Sequence, residues 1–224
     1  MNRLKDLIVA CGATHRAGLL DEYQSQLSEA DIPLHIEPLD ALPLGANSIN
    51  MARRIAFIRR VCGRLADYQK IVITDAWDVL FYGTREEVAF KVPDTLIVSA
   101  ERNCYPEPGL ATLITGETPW KYCNNGMMAG TPSYLLSWCA QAESTPHLDI
   151  LDQAWFNRRR AEGSPLTPLD ESTNLFYVVS STLENGELVK GFERPLNQLC
   201  KTYPCFFHFS GGCPTDRFRS IMQS

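Results

Sequence analysis

The chain has 224 residues, of which 45% are hydrophobic, a size typical of one domain with a substantial core. Its formal net charge of -5 at pH 7 offers no general positive field, which argues against nucleic acid and anionic membrane surfaces as partners. No segment approaches the roughly 20 apolar residues that a membrane-spanning helix requires, so we expect no membrane span.

In the first half of the chain, short apolar strands alternate with a helical pattern. The first predicted strand is Asp6–Cys11, and the short apolar run within residues 1–10 lacks the length of a secretory signal. Further strands are predicted at Leu34–Pro38, Lys70–Thr74 and Thr95–Ser99, with a long helix over Ile49–Asp67. This alternation predicts an α/β fold with a mainly parallel central sheet flanked by helices, in a single domain spanning residues 1–224.

The long predicted helix has an apolar face and a basic face. Its apolar positions three or four residues apart are Ile55, Ile58, Cys62 and Leu65. Its arginines are Arg53, Arg54, Arg59, Arg60 and Arg64. A basic run of this kind is most often a solvated face.

The second half of the chain has less regular patterns. Gly109–Pro119 is typical of a loop, and helices are predicted over Ser133–Gln141 and Asp149–Glu162. Short strands are predicted over Phe176–Val179 and Cys205–Phe209. The eight cysteines contain no CxxC pair, so we expect buried thiols and a cytoplasmic, reducing location.

The segment Lys70–Gly83, KIVITDAWDVLFYG, carries the clearest chemical signal. A hydrophobic strand ends in Asp75 and Asp78, and ligands of open α/β sheets bind beyond the carboxyl ends of strands. Two carboxylates at such a turn suit Mg²⁺ or Mn²⁺. Alternatively, Asp75 begins a turn and Asp78 caps a helix, which is the more frequent role of an isolated DxxD pattern.

Four later blocks follow this segment in a fixed order: SAERNCYP (Ser99–Pro106), KYCNNGMMAGTPSYL (Lys121–Leu135), LDILDQAWF (Leu148–Phe156) and FFHFSGG (Phe206–Gly212). Together with the aspartate pair, they resemble the glycosyltransferase domain of the procollagen lysyl hydroxylases and the related collagen glucosyl- and galactosyltransferases. The resemblance extends from Leu7 to about Thr215.

The resemblance implies a GT-A type fold and a metal-dependent transfer of a hexose from a UDP-sugar donor to a hydroxyl acceptor. By position in the family's motifs, Asp75, Asp78 and His208 would be the ligands of Mn²⁺ or Mg²⁺. A lone histidine in an aromatic strand is otherwise more often a hydrogen-bonded core residue. Gly211, close behind His208, would let the backbone approach a phosphate.

Further residues are placed near the donor by the same resemblance. Trp77 would lie against the uracil base, or else be a core residue. Ala10, Ala13 and Thr14 fall in the uridine-contacting first loop, where backbone groups make the contacts. Arg54 falls near a family lysine close to the donor, although it also belongs to the basic face of the helix.

The remaining assignments concern the transferred sugar and the acceptor. Asp152 matches the second aspartate of the family's Asp-Asp-Gln motif and would be the catalytic carboxylate, whereas Leu151 replaces the first. Asp149 is the nearest substitute, or else a helix N-cap. Asn124 matches the family's Asn-containing glycine turn and Glu101 its Ser-Ala-Glu carboxylate; both are equally compatible with structural turn chemistry.

The predicted function is therefore that of a UDP-sugar-dependent hexosyltransferase whose acceptor is a glycan, a small molecule or a protein. The altered motifs favour one alternative from another class, a non-catalytic module that binds a nucleotide-sugar or a glycan on the same fold. A metal-dependent phosphohydrolase would use similar carboxylates, but no segment resembles its usual nucleophile or second-metal motif.

Overall fold

The computed structural model describes residues 5–13, 17–38, 50–179 and 187–223. The strands in these ranges are β1 Lys5–Ala13, β2 Leu34–Pro38, β3 Tyr68–Thr74, β4 Val79–Phe81, β5 Leu96–Glu101, β6 Tyr122–Gly130, β7 Phe176–Val179, β8 Leu188–Lys190, β9 Pro195–Asn197 and β10 Phe206–Phe209. The helices are α1 Leu20–Glu29, α2 Met51–Arg64, α3 Arg85–Lys91, α4 Pro132–Glu143, α5 Asp152–Ala161 and α6 Asp216–Gln223.

The central sheet has five strands in the order β2-β1-β3-β6-β5. Strand β1 pairs in parallel with β2 and β3, whereas β6 lies antiparallel to both of its neighbours, β3 and β5. The prediction of an α/β fold is confirmed. The sheet is mixed rather than wholly parallel, since β2, β1, β3 and β5 run in one direction and β6 runs in the other. The sheet is mixed because β6, whose Asn-Gly segment was expected to be a turn, crosses the sheet in the opposite direction.

One face of the central sheet packs against α2, α4 and α5. Ile55, Ile58 and Cys62 of α2 are buried there, as the helical pattern predicts, and Leu65 at its C-terminal end joins them. Helix α2 begins after Asn50, whose side-chain oxygen accepts a hydrogen bond from the Arg53 N–H, an N-cap that satisfies one free backbone donor.

The other face of the sheet packs against α1, α3 and a second sheet of order β4-β10-β7. Strand β10 is antiparallel to β4 and parallel to β7, and its Phe206 packs with Phe81 and Phe176 in this core. The second sheet brings β4 and β10 side by side near the end of β3. The candidate site lies at that junction.

Several predicted boundaries differ from those of the structure. The helix expected over Asp149–Glu162 begins three residues later, and the expected loop Gly109–Pro119 overlaps a 3₁₀ turn at Pro108–Thr112. All eight cysteines are thiols, six of them buried, as expected. No helix in the described ranges combines the length and the apolar character needed to cross a bilayer.

Candidate metal and donor site

Three potential metal ligands meet where the two sheets adjoin. Asp75 directly follows β3, Asp78 directly precedes β4, and His208 lies in β10. One ligand atom from each residue can be chosen so that all three lie within 4.8 Å of one another. The structure therefore brings together the three residues that the sequence predicts as metal ligands.

Backbone hydrogen bonds fix the two aspartates relative to their neighbours. The Asp75 N–H donates to the carbonyl oxygen of Gly126 at 2.7 Å, which joins the end of β3 to β6. The Phe209 N–H donates to the carbonyl oxygen of Asp78 at 2.7 Å, which continues the pairing of β10 with β4. Both carboxylates are thus carried on hydrogen-bonded backbone rather than on a free loop.

Gly126 allows this close approach. A Cβ atom at this position would lie 2.3 Å from Cε1 of His208 and 2.9 Å from Oδ2 of Asp75, closer than non-bonded atoms can approach. A side chain here would have to displace the imidazole, the carboxylate or both. The cluster therefore depends on a glycine at residue 126.

Asn124 orients the imidazole of His208. Its Oδ1 lies 3.0 Å from Nδ1 of His208 and also accepts a hydrogen bond from the Gly126 N–H at 3.0 Å. Because an amide oxygen is only an acceptor, this contact places the proton on Nδ1. In the neutral imidazole, Nε2 then carries the lone pair that a metal would use, on the side of Asp75 and Asp78, whose Oδ2 atoms lie 3.5 Å and 3.3 Å away.

The three potential ligands and their charges suit a divalent cation. Two carboxylates and one imidazole suit Mn²⁺ or Mg²⁺ better than soft thiolate-binding metals. Burial raises the pKa of Asp75, opposed by the positive charges of His208 and Arg54 and supported by the negative charge of Asp78. Burial also acts against protonated His208, yet the hydrogen bond and charge of Asp78 raise its pKa overall. A divalent cation held by this cluster would add positive charge beside both carboxylates.

Arg54 is not part of the solvated basic face that the sequence allowed for it. It is 5% exposed, and its Nε donates to Oδ2 of Asp152 at 2.9 Å while Nη2 donates to the carbonyl oxygen of Asn125 at 2.7 Å. Nη2 also lies 3.9 Å from Oδ1 of Asp75. The guanidinium therefore connects the metal cluster to Asp152, because a buried arginine requires carboxylate partners.

Asp152 begins α5, is buried, and is linked through Gln153 to the side chain of Glu101. Its Oδ1 accepts a hydrogen bond from the Gln153 N–H, and the Gln153 amide donates to Oε1 of Glu101. Burial raises the pKa of Glu101 to about 7, although contacts with Asn124, His208 and Gln153 oppose that rise. The predicted catalytic carboxylate thus lies in a network that runs from Arg54 to Glu101.

The Asn-containing segment was expected to form a glycine turn, but it is an irregular part of strand β6. Val98 of β5 pairs with Met128, and Ala100 pairs with Cys123, so Ser99 alone lies opposite residues 124–127 of β6. The Ser99 hydroxyl donates to the carbonyl oxygen of Asn124 at 2.6 Å. Bulges of this kind occur next to active sites, where they redirect side chains.

Trp77 lies between the two aspartates in sequence and is 37% exposed, so the interpretation as a core residue is wrong. Its carbonyl oxygen accepts the Leu19 N–H at 2.8 Å, and Gly18, with φ of +59°, packs directly against that carbonyl group. The segment that leads into α1 is thereby held against the backbone of Trp77.

The other predicted residues have mixed positions. Ala10 and Ala13 are buried in β1, and Thr14 lies outside the described residues. Gly211 lies in a 3₁₀ turn three residues beyond His208, with φ of +69° and open space where a Cβ would stand. Asp149 is exposed in the turn before α5. The N-cap residue of that helix is Leu151, so the N-cap role expected for Asp149 is wrong.

Sequence reasoning did not predict the link between Arg54 and Asp152, which lie 98 residues apart in the chain. It also gave Asn125 no role. A glycine within a strand pattern signals a bulge, and Gly126 carried that signal beside two asparagines.

No family model matches the chain, and no curated protein matches it.

Proposed function

We propose that this chain is a metal-dependent glycosyltransferase that moves a hexose from a UDP-sugar to a hydroxyl acceptor. The observation that carries the proposal is the convergence of Asp75, Asp78 and His208 within 4.8 Å. The Arg54–Asp152 pair beside this cluster adds a carboxylate at the position where the sugar would lie. As part of the proposal, we assign the mixed α/β fold to the GT-A type, with which its sheet is compatible.

The donor nucleotide would bind across the metal cluster. Asp75, Asp78 and His208 would hold Mn²⁺ or Mg²⁺, whose contribution is to neutralise the negative charge on the leaving diphosphate. The half-exposed indole of Trp77 offers a flat surface for the uracil, since base–aromatic stacking is favourable for any base. Gly211 and the C-terminal part of β1, which contains Ala10 and Ala13, would approach the donor through backbone groups.

The sugar would lie between the metal cluster and α5. In the transfer, the acceptor oxygen forms a bond to the anomeric carbon, the bond from that carbon to the UDP oxygen breaks, and the acceptor proton passes to a carboxylate. Asp152, held by Arg54, is the group we propose to orient the sugar and accept this proton. Asp149 is too exposed to be the primary candidate and would contact the acceptor at most.

Calorimetric titration of UDP into the purified chain, with and without Mn²⁺, tests the donor site. We expect binding that requires Mn²⁺ and disappears in the Asp75→Ala, Asp78→Ala double variant. A matched control is the Asp94→Ala, Glu117→Ala double variant, which removes two exposed carboxylates outside the cluster and should bind like the wild type. Absence of UDP binding by the wild type under every condition would refute the proposal.

One observation favours the non-catalytic alternative. Oδ2 of Asp152 is hydrogen-bonded to Arg54 and Oδ1 to the Gln153 N–H, so neither oxygen is free of a donor. A module that binds a nucleotide-sugar without transferring it would tolerate this arrangement. Product analysis separates the two: a transferase forms a glycosylated product from UDP-glucose or UDP-galactose when free hexoses or a serine peptide are added, and a binding module forms none.

We also propose that this activity takes place in the cytosol, because all eight cysteines are thiols.

A further inference from the structure

The side-chain amide of Asn125 is buried without hydrogen-bond partners among the described residues. The residue is 3% exposed, and neither its Oδ1 nor its Nδ2 has a partner. Most buried polar side chains are hydrogen-bonded, because a buried group without a partner loses its hydrogen bonds to water and forms none in the protein. An amide with both functions unpaired therefore requires an explanation.

Asn125 lies in the middle of the candidate site. Its main-chain oxygen accepts the hydrogen bond from Arg54, whose guanidinium also contacts Asp152 and approaches Asp75. Its neighbour Asn124 contacts His208, and its other neighbour, Gly126, contacts Asp75 through the backbone. The residue thus lies on the bulge between the metal cluster and the proposed catalytic carboxylate.

The polar groups around Asn125 already have partners. Arg54 is paired with Asp152, and Asn124 is bonded to His208 and to the Gly126 N–H. A ligand bound at the site can therefore supply the hydrogen bonds that the amide lacks. An amide offers one acceptor and one donor group, which matches a hydroxyl, and its neutrality suits an uncharged sugar beside the carboxylates of Asp152 and Glu101.

We propose that the Asn125 amide hydrogen-bonds a ring hydroxyl of the transferred sugar and helps to select which UDP-hexose the site accepts. This inference rests on the proposed function and adds a residue that reads the sugar rather than the nucleotide. It places sugar recognition on the β6 bulge, next to the residues that would hold the diphosphate end of the donor.

The test is the Asn125→Leu variant, because leucine has nearly the shape of asparagine but neither hydrogen-bonding group. UDP, UDP-glucose and UDP-galactose are titrated separately in the presence of Mn²⁺. We expect the variant to bind UDP like the wild type and to lose about tenfold in affinity for the preferred UDP-hexose, as for one lost hydrogen bond in a buried site. Thermal unfolding should show no loss of stability, since leucine removes an unpaired amide.

The matched control is Asn174→Leu, the same change at an exposed position outside the site, which should leave all three affinities unchanged. An equal loss for UDP and for both UDP-hexoses in Asn125→Leu, or no loss for any of them, would overturn the role in sugar recognition. The role would also be overturned if the wild type bound UDP-glucose and UDP-galactose no more tightly than UDP. If the wild type binds no UDP at all, the proposed function itself fails, and this inference fails with it.

Discussion

At the scale of single residues, Gly126 sets the tightest geometric condition on the metal cluster. We predict that Gly126→Ala lowers Mn²⁺ affinity at least tenfold, because the added methyl group would have to displace His208 or Asp75. Overpacking of this kind also destabilises a fold by about 1–3 kcal/mol. Electron paramagnetic resonance of free Mn²⁺ during titration measures the first effect, and thermal unfolding measures the second.

Gly63 supplies the control for this substitution. It lies exposed near the end of α2, and a Cβ there would meet no atom within 4 Å. Gly63→Ala should therefore stabilise the chain by about 0.5–1 kcal/mol, since alanine is the better helix former, and should leave Mn²⁺ binding unchanged. Unchanged Mn²⁺ affinity in Gly126→Ala would show that the cluster is not the binding site.

Asn124 acts on the metal through the imidazole. We predict that Asn124→Ala weakens Mn²⁺ binding by about 10–100-fold, because His208 loses the acceptor that keeps its proton on Nδ1. Asn124→Asp retains an acceptor at the same place and should retain most of the affinity. Electron paramagnetic resonance titration of Mn²⁺ into both variants tests this role. If Asn124 acted only through general packing rather than by orienting His208, both variants would lose Mn²⁺ affinity equally.

At the scale of secondary-structure elements, Arg54 ties α2 to α5 and β6. We predict that Arg54→Met destabilises the chain by about 3–5 kcal/mol, because Asp152 would remain buried without its counter-charge. The loss should be clearly smaller when Asp152→Asn is already present. Denaturant unfolding of the wild type, both single variants and the double variant gives the coupling energy. Additive losses would mean that the pair is not a unit.

The elements that the sequence predicts best are those with a uniform apolar pattern. Leu34–Pro38 and Phe176–Val179 match their strands at both ends, and α2 lies within its predicted range. Strand β6 was missed because Asn124, Asn125 and Gly126 have the composition of a turn. Its pairing on both sides of the bulge overrides that local preference.

In the candidate site, too, the sequence predicts what local patterns determine and misses what long-range contacts determine. The positions of Asp75 and Asp78 can be read from a strand that ends in acidic residues, and motif order adds His208. The contacts of Arg54 depend instead on a partner 98 residues away and on burial, neither of which a helical pattern reveals. Asp149 was predicted to begin α5, but it lies before the helix. The carbonyl oxygens of residues 148 and 150 accept hydrogen bonds from backbone N–H groups at the N-terminus of α2, which holds this segment outside α5.

At the scale of the whole molecule, the cysteines report on the packing of the cores. Cys62 and Cys139 lie in the core formed by α2 and α4, and Cys205 lies in the core on the opposite face of the central sheet. Burial raises the pKa of each of these three thiols to about 12. Since the thiolate is the reactive form, these thiols should be inert in the folded chain at pH 8.

We therefore predict that Ellman's reagent labels no more than two thiols in the native chain at pH 8, because only Cys200 and Cys213 are partly exposed. All eight should react after unfolding in guanidinium without any reductant. Rapid labelling of four or more native thiols would contradict the packing of both cores. Fewer than eight in the unfolded chain would indicate disulfides, and with them an oxidising compartment in place of the cytosol that the proposed function assumes.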